Sequence, residues 1–227
     1  MVWTVTVAEV PLNRRAVLGV GEPRKGQRHI GIAYRTEASA PLRFMHLAWH
    51  HDLRDDDQVR DIYRCVILAD VPAELEPTIV AQCKRSSAAD AKGIPFGFGY
   101  QPLSVTRDPV TDALRLRGPS GLTCATFVLA MLELANIRLA DLSSWQDRQG
   151  DAEWKAGIVE DLDDRGADPA HVEGVRSDRN HTRVRPEDVA GAATVSPLPA
   201  SFTSAVVRGA SIVDELARDD GPPALRR

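Results

Sequence analysis

Hydrophobic and polar positions change their period near residue 70, and this change divides the chain into a strand-rich part and a helix-rich part. Before it, short apolar runs and alternating positions predict strands at residues 2–20, 29–34, 42–49 and 62–68. Residues 21–26 and 36–41 are rich in glycine, proline and polar side chains and are predicted to be turns. Residues 52–57 are mostly charged and are predicted to form a loop.

After residue 70, apolar residues recur every three to four positions, which is typical of amphipathic helices. The predicted helices lie at residues 72–87, 124–136, 151–164, 168–175, 185–189 and 204–218. A loop rich in glycine and aromatic residues at 93–100 and a hairpin at 103–117 separate the first two helices. Because the strands precede the helices instead of alternating with them, the sequence predicts an α+β fold.

The length of 227 residues suits one domain, or one domain with a small appendage. We expect a core at residues 1–145, a helical cap or extension of the same domain at 146–218, and a flexible tail at 219–227. Apolar residues make up 43% of the chain, which is enough for a hydrophobic core. Charged residues of both signs make up 26%, so the composition is not that of a disordered protein.

Charge and cysteine content narrow the class of protein. A net charge of −4 gives no electrostatic argument for binding nucleic acid or an anionic membrane, so we expect small molecules, peptides or proteins as partners. The sequence shows neither a signal peptide nor an apolar run that would span a bilayer. Three widely spaced cysteines argue against a disulfide framework or a zinc finger and fit a reducing cytoplasm. We expect no cofactor; delivery to another compartment without a signal peptide stays open.

Cys124 follows a Pro-Ser-Gly break and is predicted to lie in the first turn of the most apolar helix. Free backbone N–H groups and the helix dipole at this position favour the thiolate, which is the nucleophilic form of cysteine. The alternative is a small apolar residue packed in the core. Cys65 lies in an apolar strand and Cys83 on the apolar side of a helix, so we expect both to be buried and inert.

His29 and His46 are candidates for the base and the orienting group that a cysteine hydrolase requires. We expect residues 29–34 and 41–46 to pair as an antiparallel hairpin that turns about Glu37 and Ala38. His29 would then face His46 directly, with Cβ atoms about 4.5–5.5 Å apart. A slip of one residue would send the two rings to opposite faces of the sheet.

Taken in this order, the motifs resemble those of the circularly permuted papain-like cysteine hydrolases. That group includes the lecithin:retinol acyltransferase-like proteins and permuted relatives of the NlpC-type cell-wall peptidases. The strand His-Ile-Gly-Ile at residues 29–32, the strand Phe-Met-His-Leu-Ala at 44–48 and the helix start Leu-Thr-Cys-Ala-Thr-Phe-Val at 122–128 are similar to the family's motifs. The resemblance covers roughly residues 25–135.

The resemblance implies that Cys124 is the nucleophile, His29 the base and His46 the orienting group of a thiol-dependent peptidase or amidase with an acyl-enzyme intermediate. The expected substrate is an amide in a peptide, an isopeptide or a peptidoglycan stem. Acyltransferase-like members carry Asn before the cysteine and an acidic residue or His soon after it. This chain has Thr123, Ala125 and Thr126 there and shows no membrane anchor, so a lipid acyltransferase or thioesterase is the second hypothesis.

An acyl intermediate also needs hydrogen-bond donors for its oxyanion. The backbone N–H of Cys124 is one candidate, and the hydroxyl of Tyr100 in the glycine-rich loop is another; the alternative for Tyr100 is an ordinary loop residue. Phe96 and Phe98 are candidates either for lining a substrate groove or for packing this loop onto the core.

Three other hypotheses remain open at this point. Neutral imidazoles and carboxylates suit zinc, so His46, His50 and His51, followed by acidic residues at 52 and 55–57, allow a metal-dependent hydrolase. Alternatively, His50 and His51 are surface residues at a strand end. Asn180 and His181 offer a triad with Cys124 in linear papain order, although their polar surroundings predict an exposed loop. His171 lies in the same polar C-terminal half of the chain. A papain-like scaffold can also serve as a catalytically silent binding module.

Overall fold

The protein is described by a computed structural model covering residues 2–116, 121–178 and 182–219. The strands in these ranges are β1 (Ala16–Arg24), β2 (Gln27–Tyr34), β3 (Arg43–Trp49), β4 (Asp52–Asp56), β5 (Tyr63–Val66), β6 (Val105–Arg107) and β7 (Leu114–Leu116). The helices are α1 (Glu76–Ala89), α2 (Cys124–Leu134), α3 (Asp151–Asp164), α4 (Pro169–Ser177), α5 (Pro186–Ala192) and α6 (Phe202–Asp219). The predicted α+β class is confirmed.

Five strands form one antiparallel sheet in the order β4-β3-β2-β1-β5, and β6 pairs with β7 in a separate small hairpin. Side chains alternate between the two faces of each strand. On one face, Ile30, Ile32 and Met45 join the main core cluster, to which the apolar helix α2 contributes Phe127 and other residues. The opposite face carries a smaller cluster that includes Val17, Ala33, Phe44, Tyr63 and Cys65.

The helices after residue 150 share the main core with the sheet. Val189 and Ala190 of α5 and Ile212 of α6 are buried in the same cluster as Ile30 and Ile32. Helix α5 contacts β1, β2 and α2 and packs along α6. The hydrophobic core is therefore continuous across residue 145, where the sequence suggested the start of a cap.

Two predictions about the strands are wrong. Residues 2–7 form only a bridge from Val5 to Cys65 and then enter a short 3₁₀ turn, because the carboxylate of Glu215 on α6 accepts the backbone N–H groups of Trp3 and Thr4. The first strand also continues through residues 21–24, which were predicted to begin a turn.

A third prediction is also wrong, because β4 covers most of the charged segment at 52–57, which was predicted to be a loop. This strand lies at the edge of the sheet, where charged side chains are common because one side of the strand faces solvent. Arg43 on the neighbouring strand neutralises part of the charge, with Nε 3.0 Å from Asp55 Oδ1 and Nη1 2.5 Å from Asp57 Oδ1.

Candidate functional site

His29 on β2 and His46 on β3 are in direct contact. His29 Nε2 lies 2.8 Å from His46 Nδ1, and the ring centroids are 4.9 Å apart in an edge-on arrangement. The ladder pairs Ile32 with Met45, so Gly31 and not His29 lies opposite His46. The predicted register is wrong by two residues, but an even shift preserves the face of each side chain. The predicted contact of the two rings is therefore present along a diagonal of the ladder.

Gly31 is required for this arrangement. A Cβ atom at Gly31 would lie 2.7 Å from the Cβ of His46 and 2.8 Å from a ring carbon of Phe44, closer than van der Waals contact permits. The imidazole of His46 also stacks on Phe44, with ring centroids 4.7 Å apart. The glycine and the phenylalanine thus fix the position of His46 on the sheet.

Asp56 on β4 extends the pair to a row of three groups. Its Oδ2 lies 3.1 Å from His46 Nε2. A carboxylate accepts a hydrogen bond, so His46 carries its proton on Nε2 and accepts at Nδ1. His29 then donates from Nε2 and keeps an unprotonated Nδ1. The row Asp56–His46–His29 thereby assigns the tautomer in which His29 Nδ1 is the basic nitrogen.

Both rings are held neutral by their surroundings. Burial lowers the pKa of His29 to about 3, with smaller contributions from His46 and Arg54. Burial also lowers the pKa of His46, and the hydrogen bond and charge of Asp56 oppose that effect. Neutral imidazoles fit the tautomers assigned above, since an imidazolium has no nitrogen that accepts a proton.

A substitution of Asp56 tests this assignment. We expect Asp56→Asn to lower the pKa of His46 further, because the carboxylate stabilises the imidazolium and the amide does not. The measurement is an NMR titration of the imidazole ring protons. Asp57→Asn is the matched control, since Asp57 is 90% exposed and pairs with Arg43. An unchanged or raised His46 pKa in Asp56→Asn would contradict the proposed row.

Cys124 is the first residue of α2, as predicted. Thr123 and Thr126 cap the helix reciprocally: Thr123 Oγ1 accepts from the N–H of Thr126 at 3.2 Å, and Thr126 Oγ1 accepts from the N–H of Thr123 at 2.8 Å. This capping box begins the helix at the cysteine. The pattern Thr-x-x-Thr was visible in the sequence, although the usual partner at the fourth position is Glu or Gln.

The expectation of a thiolate at this helix start is not met in this structure. Cys124 is only 9% exposed, and burial raises the pKa of its thiol to about 11. The nearby backbone N–H groups of Ile30 and Ala125 lower the thiol pKa and so favour the thiolate, but desolvation outweighs them. Cys65 and Cys83 are also free and buried, as predicted, and burial raises the pKa of both thiols.

Cys124 and His29 line one cleft, together with Gln27, Trp154 and Arg183. The side chain of His29 belongs to the sheet face opposite α2, and the start of α2 reaches the adjacent residue of the strand, Ile30. His29 and His46 also line a second, polar groove with Tyr63. Within residues 2–116, 121–178 and 182–219, no hydrogen bond joins the sulfur to either imidazole, and Nε2 of His29 is bound to His46.

Tyr100 does not meet the requirement for an oxyanion donor. Its hydroxyl donates to Glu133 Oε2 at 3.1 Å, near the far end of α2 from Cys124. Tyr100 lines neighbouring pockets but not the cleft that contains Cys124. The glycine-rich loop thus brings this hydroxyl to Glu133, and its proposed role is withdrawn.

The histidine cluster that suggested zinc is spread over different contacts. His50 Nδ1 lies 3.2 Å from the backbone nitrogen of Phe96, and His171 Nε2 lies 2.9 Å from its carbonyl oxygen. Both rings, which also contact each other, therefore bind the backbone of the glycine-rich loop. His51 is exposed. A search of the described part of the chain finds no group of three or more His, Cys, Asp or Glu that could hold a metal ion. Asn180 and His181 lie outside the described residues.

Phe96 and Phe98 form part of the walls around the site. Phe96 is buried, lines the cleft with Cys124 and stacks on Trp49, with ring centroids 4.7 Å apart. The ring centroids of Phe98 and Trp154 are 5.4 Å apart.

No helix among the described residues is long and apolar enough to cross a membrane. Comparisons of the chain with protein-family models, with curated proteins and with solved structures find no match.

Proposed function

We propose that the protein is a thiol-dependent hydrolase of amide bonds with a permuted papain-like arrangement, in which Cys124 is the nucleophile and His29 the base. The observation that carries the proposal is the row Asp56–His46–His29, which leaves a basic Nδ1 on a residue that shares a cleft with the Cys124 thiol. Strands first and a cysteine-bearing helix later also agree with the motifs of that family.

The reaction would begin from a neutral thiol and a neutral imidazole. Sγ of Cys124 adds to the substrate carbonyl carbon while its proton passes to Nδ1 of His29. The carbon–nitrogen bond then breaks, and the imidazolium returns the proton to the departing amine. Water attacks the resulting thioester, gives a proton to His29 and releases the acid and the thiol.

The first step requires the Cys124 sulfur and Nδ1 of His29 to come within hydrogen-bond distance of each other. Rotation about the Cα–Cβ bond of Cys124 is the smallest movement that alters the direction of the sulfur. In this mechanism Asp56 would hold His46, and His46 would hold His29, in the orientation and tautomer that leave Nδ1 of His29 unprotonated.

The oxyanion would be stabilised by the backbone N–H of Cys124, which lies at the helix start. Gln27 replaces Tyr100 as the candidate for a second donor, because its side-chain amide lies on a residue that lines the cleft with Cys124 and His29. Sequence reasoning missed Gln27 since nothing in its local pattern distinguishes it from an ordinary exposed strand residue.

Trapping the acyl-enzyme tests the proposal. We expect para-nitrophenyl acetate to acetylate the intact protein once, with release of para-nitrophenolate, and peptide mapping to place the acetyl group on Cys124. Cys65 and Cys83 are internal controls because both are fully buried. Cys124→Ala should show no adduct. Acetylation of another residue, or none in the wild-type protein over the spontaneous rate, would contradict the proposal.

A further inference from the structure

The cleft that contains Cys124 also holds an arginine whose charge is poorly neutralised. Arg183 lines this cleft, and its guanidinium lies over the ring of Trp154, with Cζ 3.8 Å from the ring centroid. Its side chain is 21% exposed. A guanidinium that stacks on an indole is fixed in its plane and can still donate from its N–H edges to an anion.

The carboxylates around Arg183 are bound more closely by other arginines. Asp151 is 3.7 Å from Arg183 Nη1, which is beyond hydrogen-bond distance, while the same oxygen accepts from Arg185 at 2.7 Å. Asp188 accepts from Arg148 through both oxygens, at 3.0 and 2.5 Å.

Glu187, the third carboxylate, pairs with Arg28 at 2.8 Å. Burial and the neighbouring cations Arg185 and Arg148 lower the pKa of Arg183 to about 10, while Asp151 and Glu187 oppose that shift. A cation that is costly to bury and only weakly paired is stabilised by a bound anion.

We infer that Arg183 binds a carboxylate of the substrate, so that the cleft selects acidic acyl compounds whose carboxylate lies near the bond that Cys124 attacks. The inference rests on the proposed function and specifies its substrate class. A guanidinium edge donates one hydrogen bond to each oxygen of a carboxylate, which gives orientation as well as affinity. Trp49, Phe96 and Trp154 supply the apolar walls on either side of such a substrate.

Iodoacetate and iodoacetamide are a matched pair of probes for this inference, since they alkylate the same sulfur and differ in one negative charge. The quantity compared is the ratio of the iodoacetate rate to the iodoacetamide rate. We expect this ratio to be about tenfold higher for wild-type Cys124 than for N-acetylcysteine amide, a neutral free thiol, as a charge-assisted hydrogen bond implies. Rates are measured by mass spectrometry of the Cys124 peptide at pH 8.

Arg183→Gln should lower the ratio of the iodoacetate rate to the iodoacetamide rate to that of the free thiol. The iodoacetamide rate should also fall, but less, because the charge of Arg183 favours the Cys124 thiolate. Arg183→Lys keeps the positive charge but lacks the paired N–H groups of a guanidinium, so it should retain part of the preference for iodoacetate. Arg176→Gln removes a positive charge from an exposed pair with Glu173 and should change neither rate. The wild-type ratio and Arg183→Lys decide the question if Arg183→Gln fails to fold.

The outcomes separate the inference from the proposed function. Alkylation of Cys124 without a preference for iodoacetate, or an equal loss of both rates in Arg183→Gln, overturns carboxylate binding and leaves the hydrolase proposal standing. Failure of both reagents to reach Cys124 in the folded protein overturns both, because the thiol would not open to the cleft.

Discussion

Replacing His29 with alanine is expected to slow the acylation of Cys124 by para-nitrophenyl acetate about 10³-fold at pH 7.5. With a thiol pKa of about 11, roughly one Cys124 in 10³–10⁴ is ionised at that pH. In the proposed mechanism the wild-type protein would avoid this limit, because the neutral imidazole would remove the thiol proton during attack. Without the base, only the small thiolate fraction reacts.

The pH dependence gives the sharper test of the same variant. His29 stays neutral above a pKa of about 3, so the wild-type rate should vary little between pH 5.5 and 9. The rate in His29→Ala should rise about tenfold for each pH unit toward the pKa of the thiol. Acid also favours unfolding, because His29 takes up a proton below about pH 6.5 in the unfolded protein and stays neutral down to a much lower pH in the folded protein. The rates are therefore compared above pH 5.5.

Two controls accompany this experiment. His51 is exposed and has a positive φ of 53°, a conformation that asparagine accepts, so His51→Asn should leave the rate and its pH profile unchanged. His181→Ala tests the linear triad and should also have no effect. Added imidazole should restore part of the rate in His29→Ala. A pH profile of His29→Ala that parallels the wild-type profile would exclude His29 as the base.

The location of His29, His46 and Cys124 could be predicted because each depends on a local pattern. Alternating residues indicated the strands that carry the two histidines, and the break before Cys124 indicated a helix start. The contact of the two rings followed from the pairing of neighbouring strands. The two-residue error in register arose because the turn at 35–42 offers no dipeptide that selects one loop length.

Asp56 and Arg183 could not be assigned in the same way. Asp56 was placed in a charged loop, and only the pairing of β3 with β4 brings it to His46. Arg183 lies far from Cys124 in sequence, in a polar segment with no periodic pattern, and reaches the cleft through its contact with Trp154 on α3. The raised pKa of Cys124 was also missed, because the sequence indicates the helix dipole but not how completely the thiol is desolvated.

The other large effect that we expect concerns stability, at Glu76 at the start of α1. This residue is fully buried, and its carboxylate lies 2.7 Å from Nε of Arg14. It also accepts hydrogen bonds from the backbone N–H groups of Arg15 and, at 3.1 Å, Ala16. The carboxylate thereby joins α1 to the first residue of strand β1.

Glu76→Ala is expected to destabilise the fold by about 3–5 kcal/mol, because it leaves a partly buried guanidinium and two backbone donors without their acceptor. For a chain of this size that corresponds to a fall of roughly 6–20 °C in Tm. Glu76→Gln keeps an acceptor oxygen and should lose less. Glu74→Ala, an exposed position in the preceding turn, is the matched control for the loss of one negative charge.

Thermal unfolding followed by circular dichroism distinguishes these variants. If Glu76→Ala and Glu74→Ala melt at the same temperature, Arg14 must find another partner and the carboxylate does not join α1 to β1. If Glu76→Ala melts far below Glu74→Ala and Glu76→Gln lies between them, the ion pair and the backbone hydrogen bonds both contribute to the free energy of unfolding. We expect the second result because Arg14 also donates to the carbonyl of Leu68. This hydrogen bond would keep the guanidinium beside the site of the missing carboxylate.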